Sequence, residues 1–230
     1  EDGIRDLVRS RGLGDVYKRQ VVEEAVLTYG YMQMEKSVNH ISQFLESPEI
    51  GIKKAAIISL IKYGGISGIM VAASHLKNLS ESTKDVDRAT SAHILGEIGQ
   101  KNMQYQVFRL LNDSSPLVRR EAVKAARQIG SKIFIPKLFY MLLDKNVSFD
   151  VSKTLSLYGD LVIEPAQNVL VNSLESFRLK SEVARMLGDV NSKMSVALLM
   201  KALDTKSDEL RNIILESLKR LTAKRDDVSL

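Results

Sequence analysis

The chain has 230 residues, of which 44% are hydrophobic and 27% are charged, and its formal net charge is +5. The absence of cysteine excludes a disulfide framework, thiol chemistry and a thiolate metal site. Basic residues are scattered among acidic ones, which argues against a nucleic-acid partner, because helical-repeat proteins that bind DNA concentrate Lys, Arg and aromatic residues on one face.

The first twenty residues do not fit the pattern of the rest of the chain. They resemble the in-frame translation of a sequencing-library adapter, in which residues 15–20 correspond to a transposon end. We therefore predict that residues 1–20 are not native and exclude them from the analysis of the fold. It follows that residues 21–230 are predicted to be a fragment of a longer protein, and residues 21–30 the tail of a helix whose partner helix is missing.

From residue 21 onward one unit recurs six times, with an apolar helix, a short polar turn and a second helix that ends at glycine or its substitute. Glycine readily takes the left-handed conformation that stops a helix, and asparagine is the next best residue for it. A unit that recurs every 29–35 residues predicts an all-α fold, an α-α superhelix (solenoid) of about six helix pairs. The predicted ends of the second helices are Gly30, Gly64, Gly99, Gly130, Gly159, Asn191 and, less well, Thr222.

Two apolar columns accompany these markers and are predicted to form the core between stacked helices, because a three-residue offset places them on one helical face. The column four residues before each marker is Val26, Leu60, Leu95, Ala126, Leu155, Leu187 and Leu218. The column one residue before each marker is Tyr29, Tyr63, Ile98, Ile129, Tyr158, Val190 and Leu221.

A basic column lies eleven residues before the markers, near the start of each second helix. Its side chains could form a ladder for an acidic protein partner, or they could bond to turn carbonyls and to the turn residues Asp113, Asp144 and Asp204. The second alternative is favoured, because a solenoid needs polar groups that tie one repeat to the next and Arg does so with two N–H groups. The column is Lys53, Arg88, Arg119, Ser148, Lys180 and Arg211.

Residues 112–130 resemble a HEAT repeat of the short bacterial type, also called the phycobilisome-lyase-like HEAT repeat. They combine an acidic turn, Pro116, the Val118-Arg119 pair, small alanines and a final Gly130, and residues 85–99 match the second half of the same pattern. Other units depart from it, with Ser148 in place of the arginine. The resemblance implies the fold and a protein-binding scaffold, and it says little about the particular function.

No catalytic or cofactor-binding constellation is recognisable. The histidines His40, His75 and His93 lie in separate units, and the carboxylates lie mostly in turns, where capping and the helix dipole explain them. The most apolar stretch, residues 55–73, is interrupted by Lys62 and by a Gly-Gly pair, so we predict no membrane span there. We therefore predict a protein that is not an enzyme, with no cofactor and no metal.

Three functions remain. We favour a non-catalytic scaffold that holds an unidentified protein partner on the concave face of its second helices. The alternative is a cytoplasmic regulatory HEAT domain of a membrane nucleotide-translocase-like transporter. Residues 157–160, 184–190 and 208–221 resemble the HEAT segment that follows the transmembrane part of those proteins. In that case the protein would contact a membrane only through a missing upstream region. A lyase or DNA glycosylase of HEAT type lacks its pocket signature or its basic, aromatic face here. The predicted location is cytoplasmic.

Overall fold

The computed structural model describes residues 19–226, which are helical and contain no β-strand. The expectation for residues 1–20 therefore lies outside the described residues except for Arg19 and Gln20, which begin the first helix. The helices are α1 (19–33), α2 (Val38–Ile41), α3 (Ile50–Tyr63), α4 (Gly65–Glu81), α5 (Asp85–Ile98), α6 (Gln104–Leu110), α7 (Pro116–Ile129), α8 (Ile135–Met141), α9 (Ser148–Leu157), α10 (Ile163–Val171), α11 (Phe177–Leu187), α12 (Lys193–Ala202) and α13 (Asp208–Asp226). Short 3-10 turns flank α2 and precede α6, α8 and α10.

The helices form pairs, as the repeat predicted. In the described part of the chain, α1 is followed by six pairs, α2 with α3 through α12 with α13. The chain divides into two compact units, unit 1 (Glu1–Ile98) and unit 2 (Gly99–Leu230). Within each unit the second helix of a pair packs on its own first helix and on the second helices of neighbouring pairs. For example, α11 packs on its own first helix α10 and on the second helices α9 and α13. The prediction of an all-α solenoid of about six pairs is confirmed.

The two apolar columns form the core of both units. In the first column every residue from Val26 to Leu187 is buried, and Leu218 is half-buried. In the second column burial begins at Ile98 and continues to Leu221, whereas Tyr63 is half-buried and Tyr29 is exposed. Burial of the larger of these side chains stabilises the stack by about 1.5–3 kcal/mol each. The predicted core is therefore confirmed, except for the two tyrosines nearest the start of unit 1.

Glycine ends the second helices at three of the predicted markers. Gly99, Gly130 and Gly159 have φ values of 68°, 65° and 58°, the left-handed conformation. Gly64 was predicted to do the same, but its φ is −80° and the next residue, Gly65, is left-handed with a φ of 61°. The helix α3 therefore ends at Gly64 as predicted, but the left-handed residue is one position later, because a Gly-Gly pair offers two equivalent positions for the turn.

Gly30 does not end its helix, so that prediction is wrong. The helix α1 continues to residue 33, and Met34 takes the left-handed conformation with a φ of 47°. The glycine is needed for packing, because a methyl group at Gly30 would overlap the Ser59 Oγ of α3. That hydroxyl donates to the Val26 carbonyl oxygen at 3.3 Å. The absent side chain therefore lets α1 and α3 approach closely.

The last two predicted helix ends are also wrong. The helix α11 ends at Leu187, and among the described non-glycine residues only Met34 has a positive φ, so Asn191 is not left-handed. Thr222 lies inside α13. The residue that follows α11 is Gly188, where a Cβ would lie 2.9 Å from the Ser217 Cβ of α13. Close helix contact therefore explains Gly188, as it explains Gly30.

Tyr158 joins consecutive repeats of unit 2. Its side chain is buried, and its hydroxyl donates to the Ala126 carbonyl oxygen at 2.8 Å and to the Ser131 carbonyl oxygen at 3.2 Å. Burial raises the pKa of this hydroxyl, because the charged form would lose its hydration. The Ala126 and Ser131 carbonyl oxygens also accept the Gly130 and Phe134 backbone N–H groups at 3.0 and 3.2 Å. Tyr158 therefore adds a contact from the next repeat to the turn that follows α7.

We expect Gly30→Ala to destabilise the protein by about 1–3 kcal/mol, because the added methyl group overpacks the contact between α1 and α3. In a Ser59→Gly background the cost of the same change should be smaller by about 1 kcal/mol, since the two positions are in contact. Urea unfolding of the four proteins measures this coupling. Gly130→Ala is the control, because no atom lies within 4 Å of its added Cβ and its cost should not depend on Ser59. Equal costs in both backgrounds would contradict the explanation.

We expect Tyr158→Phe to lower the free energy of unfolding by about 1–2 kcal/mol, because the hydroxyl proton shared between the Ala126 and Ser131 carbonyl oxygens is lost at a buried position. The difference from the parent protein should shrink above about pH 10, where an unfolded tyrosine ionises but the buried one resists ionisation. Thermal unfolding at several pH values tests both statements. Tyr140→Phe is the matched control, since its exposed hydroxyl donates only to Glu175 among the described residues, at 2.7 Å; a loss as large there would contradict a special role for Tyr158.

Candidate functional site

Arginines of the predicted basic column point into the turns that precede their own helices. The Arg119 Nη1 donates to the Asp113 and Ser114 carbonyl oxygens, both at 2.8 Å. Arg88 donates in the same way to the Ser82 and Thr83 carbonyl oxygens at 2.9 and 3.1 Å. Each guanidinium therefore holds its turn against the first residues of the second helix.

Arg211 makes the corresponding bonds at the start of α13. It donates to the Thr205 carbonyl oxygen at 2.6 Å and pairs with the Asp208 carboxylate. A longer bond of 3.4 Å joins it to the Leu203 carbonyl oxygen. Among the described residues, Arg211 therefore donates to the carbonyl oxygens of Leu203 and Thr205 and not to Asp204, the predicted acceptor between them.

Arg119 also reaches the next repeat. Its Nη2 and Nε donate to the Asp144 carboxylate at 2.7 and 3.0 Å, and both side chains are largely buried. Burial alone would raise the pKa of Asp144, but hydrogen bonds from the Asn146 N–H and from Arg119 outweigh it and hold the pKa below its usual value. The pair is charge-assisted, with both N–H groups bonded to the Asp144 Oδ2, and it is therefore stronger than a hydrogen bond between neutral groups.

The remaining members of the column are placed differently. Lys53 and Lys180 are half-exposed, and neither has a side-chain hydrogen bond or ion pair with another described residue. Ser148 begins α9, and its backbone N–H donates to the Asp144 carbonyl oxygen at 2.8 Å. The structure therefore brings no continuous basic surface together from these positions. A partner-binding role for the column stays a prediction.

A different set of positions forms the exposed side of the second helices in unit 2. On α7, α9 and α11, most of these residues lie two, six and nine or ten positions before the predicted markers, and Arg127 and Arg178 adjoin them at three and thirteen positions before their markers. We call this surface the second-helix face. Its members with long side chains are Arg120, Glu121, Lys124, Arg127, Gln128, Phe149, Asp150, Lys153, Leu157, Arg178, Glu182, Arg185 and Asp189.

Two large apolar side chains stand exposed on this face. Phe149 is 80% exposed and Leu157 is 65% exposed, and both belong to α9. Together with Lys153 they lie four residues apart along one side of the helix. An eight-residue separation corresponds to about 12 Å along the helix axis. Two large exposed apolar side chains on one side of an otherwise polar helix make this face a candidate for contact with another molecule.

Ion pairs join neighbouring positions of the second-helix face. Arg120 pairs with Asp150 at 3.3 Å and donates to the Asn146 carbonyl oxygen at 3.0 Å, which links α7 to the next repeat. Within helices, Lys124 pairs with Glu121 at 2.7 Å, and Arg185 pairs with Glu182 at 2.6 Å. In all three pairs the cationic side chain is the more exposed partner, with 47% against 28% for Arg120 and Asp150.

Unit 1 presents a different surface at the corresponding positions. Helices α1, α3 and α5 enclose a groove of about 280 Å³. Its titratable lining residues are Glu23, Glu24, Lys54, His93 and Glu97. The groove carries more acid than base, in contrast to the second-helix face of unit 2.

Unit 1 also exposes an apolar cluster where α1 ends and α4 begins. Tyr31 stacks edge-on against Tyr63 with ring centroids 5.5 Å apart. The large exposed side chains around this contact are Tyr31, Met32, Met34, Ile66 and Met70. One acidic and one basic residue, Glu35 and Lys36, follow Met34 in the chain. The cluster therefore shows no preference for a positively or a negatively charged partner.

The described residues hold no group of three or more His, Asp or Glu side chains that could bind a metal ion. Between residues 19 and 226, none of the helices has both the length and the apolar character required to cross a membrane. Shifted pKa values occur at Asp144, Tyr158 and Tyr140, and each of these groups is hydrogen-bonded to another part of the chain.

Residues 72–156 match the family of HEAT repeats. No curated protein matches the chain. Among solved structures, the complex of CpcE and CpcF of phycocyanin lyase from Nostoc sp. PCC7120 is 15% identical, with 86% of this chain and 88% of that chain covered and a TM-score of 0.42. Human deoxyhypusine hydroxylase in complex with glycerol is 14% identical over 85% and 99% of the two chains, with a TM-score of 0.39. An engineered protein is 19% identical over 81% and 97%, with a TM-score of 0.41.

The matched range contains both segments on which the HEAT resemblance was based, residues 85–99 and 112–130, so that prediction is confirmed. The repeat pattern did not predict the exposed side chains of Phe149 and Leu157, because it identifies the buried columns and not the positions between them. The signal was present. Phe149, Lys153 and Leu157 keep the four-residue spacing of an exposed helix face, and two of the three are large and apolar where solvent-facing residues are usually polar.

We expect Arg119→Ala to lower the free energy of unfolding by about 2 kcal/mol at pH 7, because a charge-assisted pair and two carbonyl hydrogen bonds are lost. Since the folded pKa of Asp144 is depressed, its stabilising effect is present above the unfolded value of about 3.9 and is lost as the pH falls through the folded value. The difference between the two proteins should therefore shrink below about pH 4 without vanishing, because the carbonyl bonds do not titrate.

Carbon-detected NMR titration of the Asp144 carboxyl tests the same pair directly. Its pKa should rise in Arg119→Ala and stay closer to the parent value in Arg119→Lys, which keeps the charge. An unchanged Asp144 pKa in Arg119→Ala would contradict the assignment of the shift to this pair.

Proposed function

We propose that this chain, whose residues 72–156 match the family of HEAT repeats, is a non-catalytic scaffold that binds a protein partner on the second-helix face. The observation that carries this proposal is the exposure of Phe149 and Leu157 on the outward side of α9. Exposed apolar groups of this size, surrounded by charged residues, are a common feature of protein interfaces.

The polar contacts of the structure support a scaffold rather than a catalyst. Active sites gather groups with shifted pKa values around a cleft. Here the shifted groups Asp144 and Tyr158 hold one repeat against the next, through Arg119 and through the Ala126 carbonyl. These contacts fix the relative positions of α7 and α9 and so present the side chains of both helices in a constant arrangement. The proposed location is the cytoplasm, whose reducing environment suits a chain without cysteine.

Site-specific photocrosslinking tests the proposed function. We expect p-benzoylphenylalanine at position 149 to form a discrete adduct with a protein in extracts of the source cells. The same group at position 105, an exposed aromatic position on the first helix α6, should form none. In a Leu157→Ser background the adduct should fall about tenfold or more, because a central apolar anchor is worth 1–2 kcal/mol or more at an interface. Leu174→Ser is the matched control, since Leu174 is exposed in a loop.

Equal labelling from positions 149 and 105 would contradict the proposal, because it would report chance collisions. An adduct from position 149 that is indifferent to Leu157→Ser would do the same. Circular dichroism of each variant verifies that the helices are retained.

A further inference from the structure

The second-helix face shows positive charge to solvent even though it contains carboxylates. Of its paired groups, Arg120, Lys124 and Arg185 are more exposed than the acids they contact. The cation is thus the more accessible member of each pair to an approaching molecule. At the edge of the face, Arg220 and Asp189 repeat the arrangement with 46% against 37% exposure.

Three more cations on this face have no carboxylate partner among the described residues. Lys153 and Arg127 make no side-chain ion pair, and Arg178 donates only to the Leu143 carbonyl oxygen at 3.3 Å. Their charge is therefore not neutralised locally. Charges of one sign held along one surface raise the local concentration of oppositely charged segments and speed their association.

Charge and apolar surface coincide on α9. Lys153 lies midway between Phe149 and Leu157 on the exposed side of the helix, with Arg120 of α7 beside Asp150. A chain segment seated along α9 would place two apolar side chains on Phe149 and Leu157 and an acidic side chain between them on Lys153. The spacing of about 12 Å matches positions i and i+4 of an extended peptide or i and i+8 of a helix.

We propose that the second-helix face of unit 2 binds an acidic peptide segment that carries two apolar side chains about 12 Å apart. This inference rests on the proposed function and adds the chemistry of the partner. The apolar contacts with Phe149 and Leu157 provide most of the affinity, and the cations select for acidic flanking residues.

A peptide fits this face better than a nucleic acid does. The carboxylates paired with Arg120, Lys124 and Arg185 would repel a continuous phosphate backbone, whereas an acidic peptide carries isolated charges that can avoid them. Single-stranded nucleic acids also need successive aromatic platforms for their bases. On α9 the exposed pair contains one aromatic residue, Phe149, and one aliphatic residue, Leu157.

Fluorescence anisotropy with defined peptides on the full 230-residue chain tests the inference. The probes are fluorescein-labelled 14-residue peptides of Glu and Ser that carry two Leu, either four or eight residues apart. Control peptides replace Glu by Gln or Leu by Ser. We expect an acidic Leu peptide to bind at least about tenfold more tightly than its Gln and Ser counterparts at 50 mM salt, and its advantage over the Gln peptide to shrink at 500 mM, where charges are screened.

Variants of the protein separate charge from apolar contact. Lys153→Glu should weaken the acidic peptide about tenfold and leave the Gln peptide unchanged, because only the charge next to α9 is reversed. Lys201→Glu is the matched control, since it makes the same charge change at an exposed position on the first helix α12 and should have no effect. Phe149→Ser with Leu157→Ser should weaken both Leu peptides about 30-fold.

The possible failures are distinguishable. If the Gln peptide binds as tightly as the acidic one and still depends on Phe149 and Leu157, the acidic selectivity is overturned and the protein-binding function stands. If no peptide binds, or if binding ignores both apolar positions, the inference and the proposed surface both fail. If a labelled oligothymidine of 14 nucleotides binds more tightly than the acidic peptide and is weakened by Lys153→Glu, the inference is overturned in favour of nucleic acid.

Discussion

Each helix pair of this chain can bury its apolar side only against a neighbouring pair, and the rest of the structure depends on that constraint. The buried columns from Val26 to Leu221 run through consecutive second helices and give every repeat the same inner side. Helices stacked in this way must also satisfy the polar groups of their turns. Arg88, Arg119 and Arg211 do so from the start of the second helices, and Tyr158 does so at the end of α7. With its inner side committed to packing, a second helix has only its outer side left for contact with other molecules.

Features that act within a single repeat were predictable from the sequence, whereas contacts between different helices were not. The repeated apolar columns and the glycines at positions 99, 130 and 159 act within single repeats, so the sequence shows them directly. Gly30 and Gly188 serve contacts with Ser59 and Ser217 in other helices. A glycine needed for packing looks the same in sequence as a glycine needed for a turn, which is why the end of α1 was placed at Gly30.

The same distinction applies to the candidate site. The basic column was found from its spacing, yet spacing alone does not show whether a side chain points into a turn or into solvent. Arg119 points inward to Asp144, whereas the next residue, Arg120, lies on the exposed face beside Asp150. Charges that are scattered along the sequence are therefore unequally exposed in three dimensions, since the cation is the more exposed member of each ion pair on the second-helix face. Composition could not reveal that order, because it depends on which side chain of each pair is longer and on where the helix places it.

The junction between the α6–α7 and α8–α9 repeats is fastened at both ends of α7. Near the start of α7, Arg119 bonds to Asp144, and near its end the Ala126 carbonyl accepts from Tyr158. Polar contacts at the two ends of a helix resist both hinging and sliding of one repeat over the next. Under tension applied along the chain, this junction should therefore resist separation from either end of α7. The side chains of α7 and α9, Phe149 and Leu157 among them, would then keep their relative positions.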